Sequence, residues 1–129
     1  MIDHLGFPVS DYARSRDFYA AALAPLGYGI VMEFGPDETD MGHSAAGFGR
    51  DGKPDFWIGG EGGLQGVLHV ALAAPDRATV DAFHAAAMAA GAVDNGPPGL
   101  RPHYHPNYYA AFVRDPDGHN IEVVCHAPA

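Results

Sequence analysis

Apolar and polar positions alternate along Ile2–Val9, with Leu5, Phe7 and Val9 in one row and His4 and Gly6 in the other. This period of two predicts a strand. Ser10 or Asp11 then stands where a helix cap belongs, and an alanine-rich run reaches about Ala24, where Pro25 and Gly27 close it. Apolar stretches at Tyr28–Phe34, Ala45–Gly49 and Pro54–Ile58 predict three more strands, with an acidic, glycine-containing loop at Gly35–Ser44. Gly59-Gly60-Glu61-Gly62-Gly63 reads as a linker. Then the order starts again. Gly66–Ala73 predicts a strand, and Asp76 caps a helix running to about Ala90, with Gly91 behind it. Gly96-Pro97-Pro98-Gly99 predicts a turn-rich break, preceded by a weakly marked strand around Ala92–Asp94. Tyr108–Arg114 and Asn120–Cys125 predict strands joined by an Asp115-Pro116-Asp117-Gly118 turn.

The two halves align without a gap. Ile2-Asp3-His4-Leu5 faces Val67-Leu68-His69-Val70, and Asp11, Phe18 and Ala22 face Asp76, Phe83 and Ala87. A fixed internal period means two copies of one supersecondary unit. The expectation is an α+β protein of two βαβββ modules, residues 1–60 and 66–126 joined near 59–65, forming a cupped, barrel-like mixed sheet with the helices outside. Phe18 and Phe83, at matching helix positions, are expected in the core.

The repeat also places chemistry. His4 and His69 occupy the same position of the first strand in each copy, on the row opposite the apolar one. On the last strand, Ile121 and Val123 form the apolar row and Glu122 the other. A glutamate within such a strand is costly unless it is paired or bound to a cation. Equivalent side chains of two copies related by a pseudo-twofold axis converge near it. His4, His69 and Glu122 are therefore candidates for a 2-His-1-carboxylate metal set, which leaves open positions for water and substrate. Spacing does not choose among Fe, Ni, Co, Mn and Zn. The alternative for Glu122 is an ion pair with Arg101 or Arg114.

Leu100–Tyr109, with an arginine, two histidines and three tyrosines, has no counterpart in the first half. His103 is the candidate general acid or base, with His105 second to it, because histidine is the side chain suited to proton transfer in the neutral range. Arg101 is a candidate for holding an anionic oxygen. With Trp57, Tyr109 and Phe112, Arg101 and His105 make up the expected substrate pocket, Trp57 as a wall on which a planar substrate stacks. His43, His84 and His119 fall where loops or a helix surface are expected, and His126 at a solvated chain end.

Composition narrows the function. The chain has 129 residues, 47% hydrophobic and 18% charged, as expected of one globular domain. A formal net charge of -9 argues against a nucleic-acid partner, which requires a basic face. Cys125 is the sole cysteine, so no internal disulfide forms, in keeping with a reducing cytoplasm. No signal peptide or membrane span is visible in the sequence.

Paired βαβββ modules, a histidine on each first strand, and Asp115-Pro116-Asp117-Gly118-His119-Asn120-Ile121-Glu122 near the end resemble the vicinal oxygen chelate superfamily. That superfamily includes glyoxalase I, extradiol dioxygenases, fosfomycin-resistance proteins, methylmalonyl-CoA epimerase and bleomycin-resistance proteins. The resemblance implies one divalent metal on His4, His69 and Glu122, a small-molecule substrate chelated through adjacent oxygens, and a homodimer. The first expectation is a glyoxalase-like lyase or isomerase. The second is an extradiol-type Fe(II) oxygenase, and the third a bleomycin-type binding protein without turnover. Departures are specific. Trp57 stands where glyoxalase I has a fourth ligand, and Pro8 where it has an arginine for glutathione, which argues against lactoylglutathione chemistry. Phe112 replaces the dioxygenase tyrosine, and Gly6 the threonine of the fosfomycin enzymes.

Overall fold

Both helices begin on an aspartate at the matched repeat position. Asp11 Oδ1 accepts the backbone N–H of Arg14 at 3.1 Å, and Asp76 Oδ1 that of Thr79 at 2.8 Å. Each cap satisfies a donor that the first turn leaves unpaired. The computed structural model describes residues 1–40, 42–60 and 62–129. Met41 of the predicted loop and Glu61 of the predicted linker lie outside the described residues. The chain divides into two compact units, Met1–Gly66 and Val67–Ala129.

The first unit contains β1 (Leu5–Pro8), α1 (Tyr12–Ala22), β2 (Gly29–Phe34), β3 (Ala45–Arg50) and β4 (Lys53–Gly59). The second contains β5 (His69–Ala73), α2 (Arg77–Ala89), β6 (Val93–Leu100), β7 (Tyr109–Arg114) and β8 (Asn120–Cys125). The sheet orders are β1-β4-β3-β2 and β5-β8-β7-β6. In each, the first strand runs parallel to the last and the remaining pairs are antiparallel. The fold is thus α+β, two βαβββ modules with one mixed four-stranded sheet and one helix apiece.

Alternation sorts each sheet into two faces. In the first module Phe7, Val9, Phe48, Phe56 and Ile58 are buried with Phe18, Tyr19, Ala22 and Leu23. Tyr19 is the hub, its ring 5.0 Å from those of both Phe18 and Phe56. In the second, Val70, Ala111, Val113, Ile121 and Val123 are buried with Val80, Phe83 and Ala87. Burying one such aromatic or branched side chain stabilises by roughly 1.5–3 kcal/mol. The opposite face of each sheet is left to other uses.

Several predicted boundaries move; β5 starts at His69 rather than Gly66 and β7 at Tyr109 rather than Tyr108. β1 starts at Leu5 rather than Ile2, so His4 precedes it. Its register sets Leu5 beside Phe56; two residues further back, Asp3 would meet Pro54, which has no N–H to donate. Helix α1 stops at Ala22 because Pro25 cannot continue it; a 3-10 turn at Ala24–Leu26 ends on Gly27 in the left-handed region, φ 76°. Gly96-Pro97-Pro98-Gly99 is a correction: it lies within β6 rather than breaking the chain. β6 is an edge strand paired only with β7, where a missing N–H is tolerated, and two register shifts accommodate the prolines.

Candidate functional site

The face of the second sheet turned away from α2 carries His69, Ala71, Phe112, Glu122 and Val124. Phe112 is directly opposite Glu122 across β7 and β8, and Ala71 is its partner on β5. Glu122 is only 1% exposed. His69 Nε2 stands 2.9 Å from its Oε1, and the Tyr108 hydroxyl donates to its Oε2. Both carboxylate oxygens therefore face groups of the same module. Burial and then the Glu122 carboxylate push the Tyr108 hydroxyl up to about 12. Tyr108 thus keeps its proton through the neutral range.

Neither expected arginine pairs with Glu122. Arg101 donates to Gly99 O and Pro97 O, both at 2.8 Å, and lies over the Phe112 ring at 5.3 Å. Arg114 donates to Gly118 O at 3.3 Å. Among the described residues Glu122 has no Lys or Arg in ion-pair range, and the basic group beside it is the His69 imidazole.

The loop between β6 and β7 closes by an Arg101 N–H donating to Tyr108 O at 2.7 Å. Within it, aromatic rings form a file: His103 on Tyr104 at 4.2 Å, and Tyr104 on Tyr108 at 4.9 Å. His105 Nδ1 accepts the Asn107 N–H at 3.0 Å. In its neutral form the ring proton is then on Nε2, which points at His126 Nδ1, 2.5 Å away. Tyr108 packs edge-on against both of these rings. The loop thus delivers His105, His126 and Tyr108 to one cluster, while His103 stays exposed at its outer end. Tyr109 points the other way, its hydroxyl donating to Asp81 of α2 at 2.6 Å and its ring under Arg77.

In the first module His4 is exposed, its Nδ1 2.8 Å from Asp3 Oδ1, and Lys53 Nζ donates to the same oxygen at 3.0 Å. Trp57 sits between two glycines, Gly6 on β1 and Gly47 on β3. A Cβ on Gly47 would come within 2.8 Å of the indole, so the ring lies flat over this position. Phe34 stacks parallel to it, 2° between planes. A cavity of about 490 Å³ opens on this face, lined by Trp57, Pro8, Ala45, Thr39, His43 and Ser44 among others.

Two residues of note escape a reading by pattern alone. Tyr108 is one; the signal was the carboxylate itself, since Glu122 needed a donor and the adjoining loop was rich in tyrosine. His119 is the other. Expected on a loop surface, it is 1% exposed, and its Nδ1 accepts the Leu68 N–H at 2.9 Å. Asp115 anchors the same turn by accepting the N–H groups of Asp117 and His119.

His69 and Glu122 are metal donors of the right chemistry, brought together on one face, and they fit two positions of the expected ligand set. Among the described residues no group of three or more His, Cys, Asp or Glu side chains is arranged to hold a metal ion. Among them also, no helix is long and apolar enough to cross a membrane.

Solved structures share this fold. A glyoxalase/bleomycin resistance protein from Albidiferax ferrireducens T118 is 29% identical, with a TM-score of 0.73 over 98% of each chain. A glyoxylase/bleomycin resistance protein/dioxygenase domain from Frankia sp. EAN1pec is 18% identical, TM-score 0.72, covering 97% of this chain and 96% of that one. Glyoxalase I from Zea mays is 21% identical, TM-score 0.68, matching 95% of this chain but 43% of the longer maize chain. No curated protein matches the sequence. The family profile described as Glyoxalase/Bleomycin resistance protein/Dioxygenase superfamily matches residues 1–123. With that match over nearly its whole length, the chain belongs to the Glyoxalase/Bleomycin resistance protein/Dioxygenase superfamily.

Proposed function

We propose that the protein is a glyoxalase-like metalloenzyme acting on a small substrate with adjacent oxygens, by proton transfer of the lyase or isomerase kind. His69 and Glu122 are the ligands in the second module, and the repeat register supplies His4 as the third. The observation that carries the reading is Glu122: a carboxylate 1% exposed, with an imidazole nitrogen 2.9 Å away and no Lys or Arg partner among the described residues. Buried carboxylates are paired or metal-bound. Tyr108 orients the carboxylate by holding Oε2, as hydrogen-bonded partners of metal ligands do. A divalent ion, when bound, would polarise a substrate oxygen and lower the cost of developing negative charge there. His103 is the proton-transferring group in this reading, at the solvent end of the file that leads through Tyr104 to Tyr108.

A second reading, a small-molecule binding protein without turnover, is favoured by the apolar cavity over Trp57 in the first module. Metal loading separates the two. Purified protein is incubated anaerobically with Fe, Ni, Co, Mn or Zn, and bound metal is counted by mass spectrometry. Stoichiometric uptake that disappears in His69→Ala, Glu122→Ala and His4→Ala, with circular dichroism unchanged, supports the ligand assignment. Full occupancy in Glu122→Ala overturns it, and absence of uptake by the parent chain under all loadings turns the reading to the binder. His103→Ala should retain metal and lose turnover.

A further inference from the structure

We propose that His126, on the segment leaving β8, is a positioning residue: it latches the loop 101–108 through His105 and so holds the Tyr108 hydroxyl on Glu122. The consequence for metal binding rests on Glu122 being a ligand, as proposed above; the latch itself does not.

His126 follows Cys125, the last residue of β8. From its place near the chain end it is expected in solvent, and it is exposed. Yet its Nδ1 stands 2.5 Å from His105 Nε2. The two ring planes are 23° apart and their centres 4.8 Å. Near-parallel imidazoles with nitrogens that close cannot lie face on face, so the rings meet edge to edge along a hydrogen bond. Its direction is set from the far side of His105. There the Asn107 N–H donates to Nδ1 at 3.0 Å, which leaves the proton of the neutral ring on Nε2. His105 therefore donates and His126 Nδ1 accepts. The same tautomer is the wrong one for a metal between the rings: ligation by Nε2 would move the proton to Nδ1, against the Asn107 N–H.

The backbone bonds of the loop are internal to it. Arg101 N–H donates to Tyr108 O at 2.7 Å, Tyr104 N–H to Arg101 O at 2.9 Å and Tyr108 N–H to His105 O at 3.2 Å. Among the described residues two side-chain hydrogen bonds tie it to β8 and its exit, Tyr108 to Glu122 and His105 to His126. The Tyr108 ring links the two. It stands edge-on to both imidazoles, 5.5 Å and 77° from His105 and 5.2 Å and 87° from His126. The phenol is thus braced by the joined rings while its hydroxyl meets the buried acid. Loss of His126 removes one side of the brace and the acceptor of His105 together.

Amide hydrogen exchange of the purified full-length chain, without added metal, reads the latch. The Arg101 and Asn107 N–H groups keep their partners only while the loop is closed. His126→Ala should quicken both about three- to tenfold, the worth of one hydrogen bond, while the amides of α2 stay within about twofold. His126→Asn keeps an acceptor oxygen near the place of Nδ1 and should restore protection to within about twofold. His126→Phe keeps a ring without an acceptor and should not. The carbon-13 Cζ resonance of Tyr108, assigned by its absence in Tyr108→Phe, should move in His126→Ala and His126→Phe and hold in His126→Asn. Metal affinity, where metal binds, should fall with it by about three- to tenfold and recover in His126→Asn. Unchanged exchange in His126→Ala overturns the proposal, as does rescue by phenylalanine rather than asparagine, which would make the contact one of packing. A Tyr108 resonance that stays in place while exchange quickens overturns the positioning of Tyr108. A chain that takes up no metal under any loading would end the metalloenzyme reading and leave exchange and the Tyr108 resonance to decide the latch; uptake lost in Glu122→Ala beside unchanged exchange in His126→Ala would do the reverse.

Discussion

Tyr108 donates its hydroxyl hydrogen to Oε2 of Glu122, the acid that β8 buries among valines and isoleucine. The bond links the loop before β7 to the last strand and leaves Oε1 to His69. Tyr108→Phe removes the donor and keeps the ring. A buried charged acceptor left short of one partner costs about 1–3 kcal/mol. Urea unfolding should show that loss with no change in the slope. If Glu122 ligates a metal, affinity should also fall roughly 10- to 100-fold, read by competition with a chromophoric chelator. Unaltered stability would show that the bond contributes nothing net.

Tyr28 gives a pH dependence in the first module. Its hydroxyl donates to Asp55 Oδ2 at 2.7 Å, and burial followed by that carboxylate pushes it from 10.0 up to about 12. The folded chain therefore holds a proton that the unfolded chain has lost between these two values. Stability from this group is complete below pH 10 and is lost as pH rises toward 12. Tyr12, bonded to Glu33, is raised for the same two reasons and acts in the same direction. Equilibrium unfolding between pH 8 and 12 should show a downward limb that is shallower in Tyr28→Phe. A limb of equal steepness in that variant would assign the loss elsewhere.

How far the chain can be read without coordinates depends on which interactions are local. The duplication, the Asp11 and Asp76 caps and the helix-facing rows of β1, β5 and β8 are written in short-range periodicity, and they appear at those residues. That His69 and Glu122 share a face follows from alternation alone. What escaped was set by partners distant in the chain. β1 begins late because of Pro54 on another strand, and β6 runs through Pro97 and Pro98 because it lies at an edge. Tyr108 is defined by an acid on β8, and His119 by an N–H on the segment entering β5. The pattern marks Trp57 as a large residue on the cavity face, but only the ladder shows that glycines flank it.

His119 tests the Asp-Pro-Asp-Gly turn as a structural device. The turn uses Asp115 to collect two N–H groups and His119 to receive a third from Leu68, next to His69. His119→Ala opens a void and strands that N–H, so destabilisation of roughly 2–4 kcal/mol is expected. Amide exchange should quicken at Leu68 and along β5 before it does in α1. Exchange that rises evenly over the chain would argue for a general packing loss instead.

Gly47→Ala tests the flat seat of Trp57 directly. The new methyl would arrive 2.8 Å from Cζ2 of the indole and 2.9 Å from Pro54 Cβ, closer than such atoms pack. The Pro54 ring is closed onto the backbone of β4 and yields little, so the indole must lift. Overpacking of this kind costs about 1–3 kcal/mol. Lifting also parts the ring from Phe34, with which it is now parallel. The chain's single indole N–H resonance in a nitrogen-15 NMR spectrum should move in this variant. An unmoved resonance would mean that the sheet relaxes under the ring and that glycine at this position serves something other than Trp57.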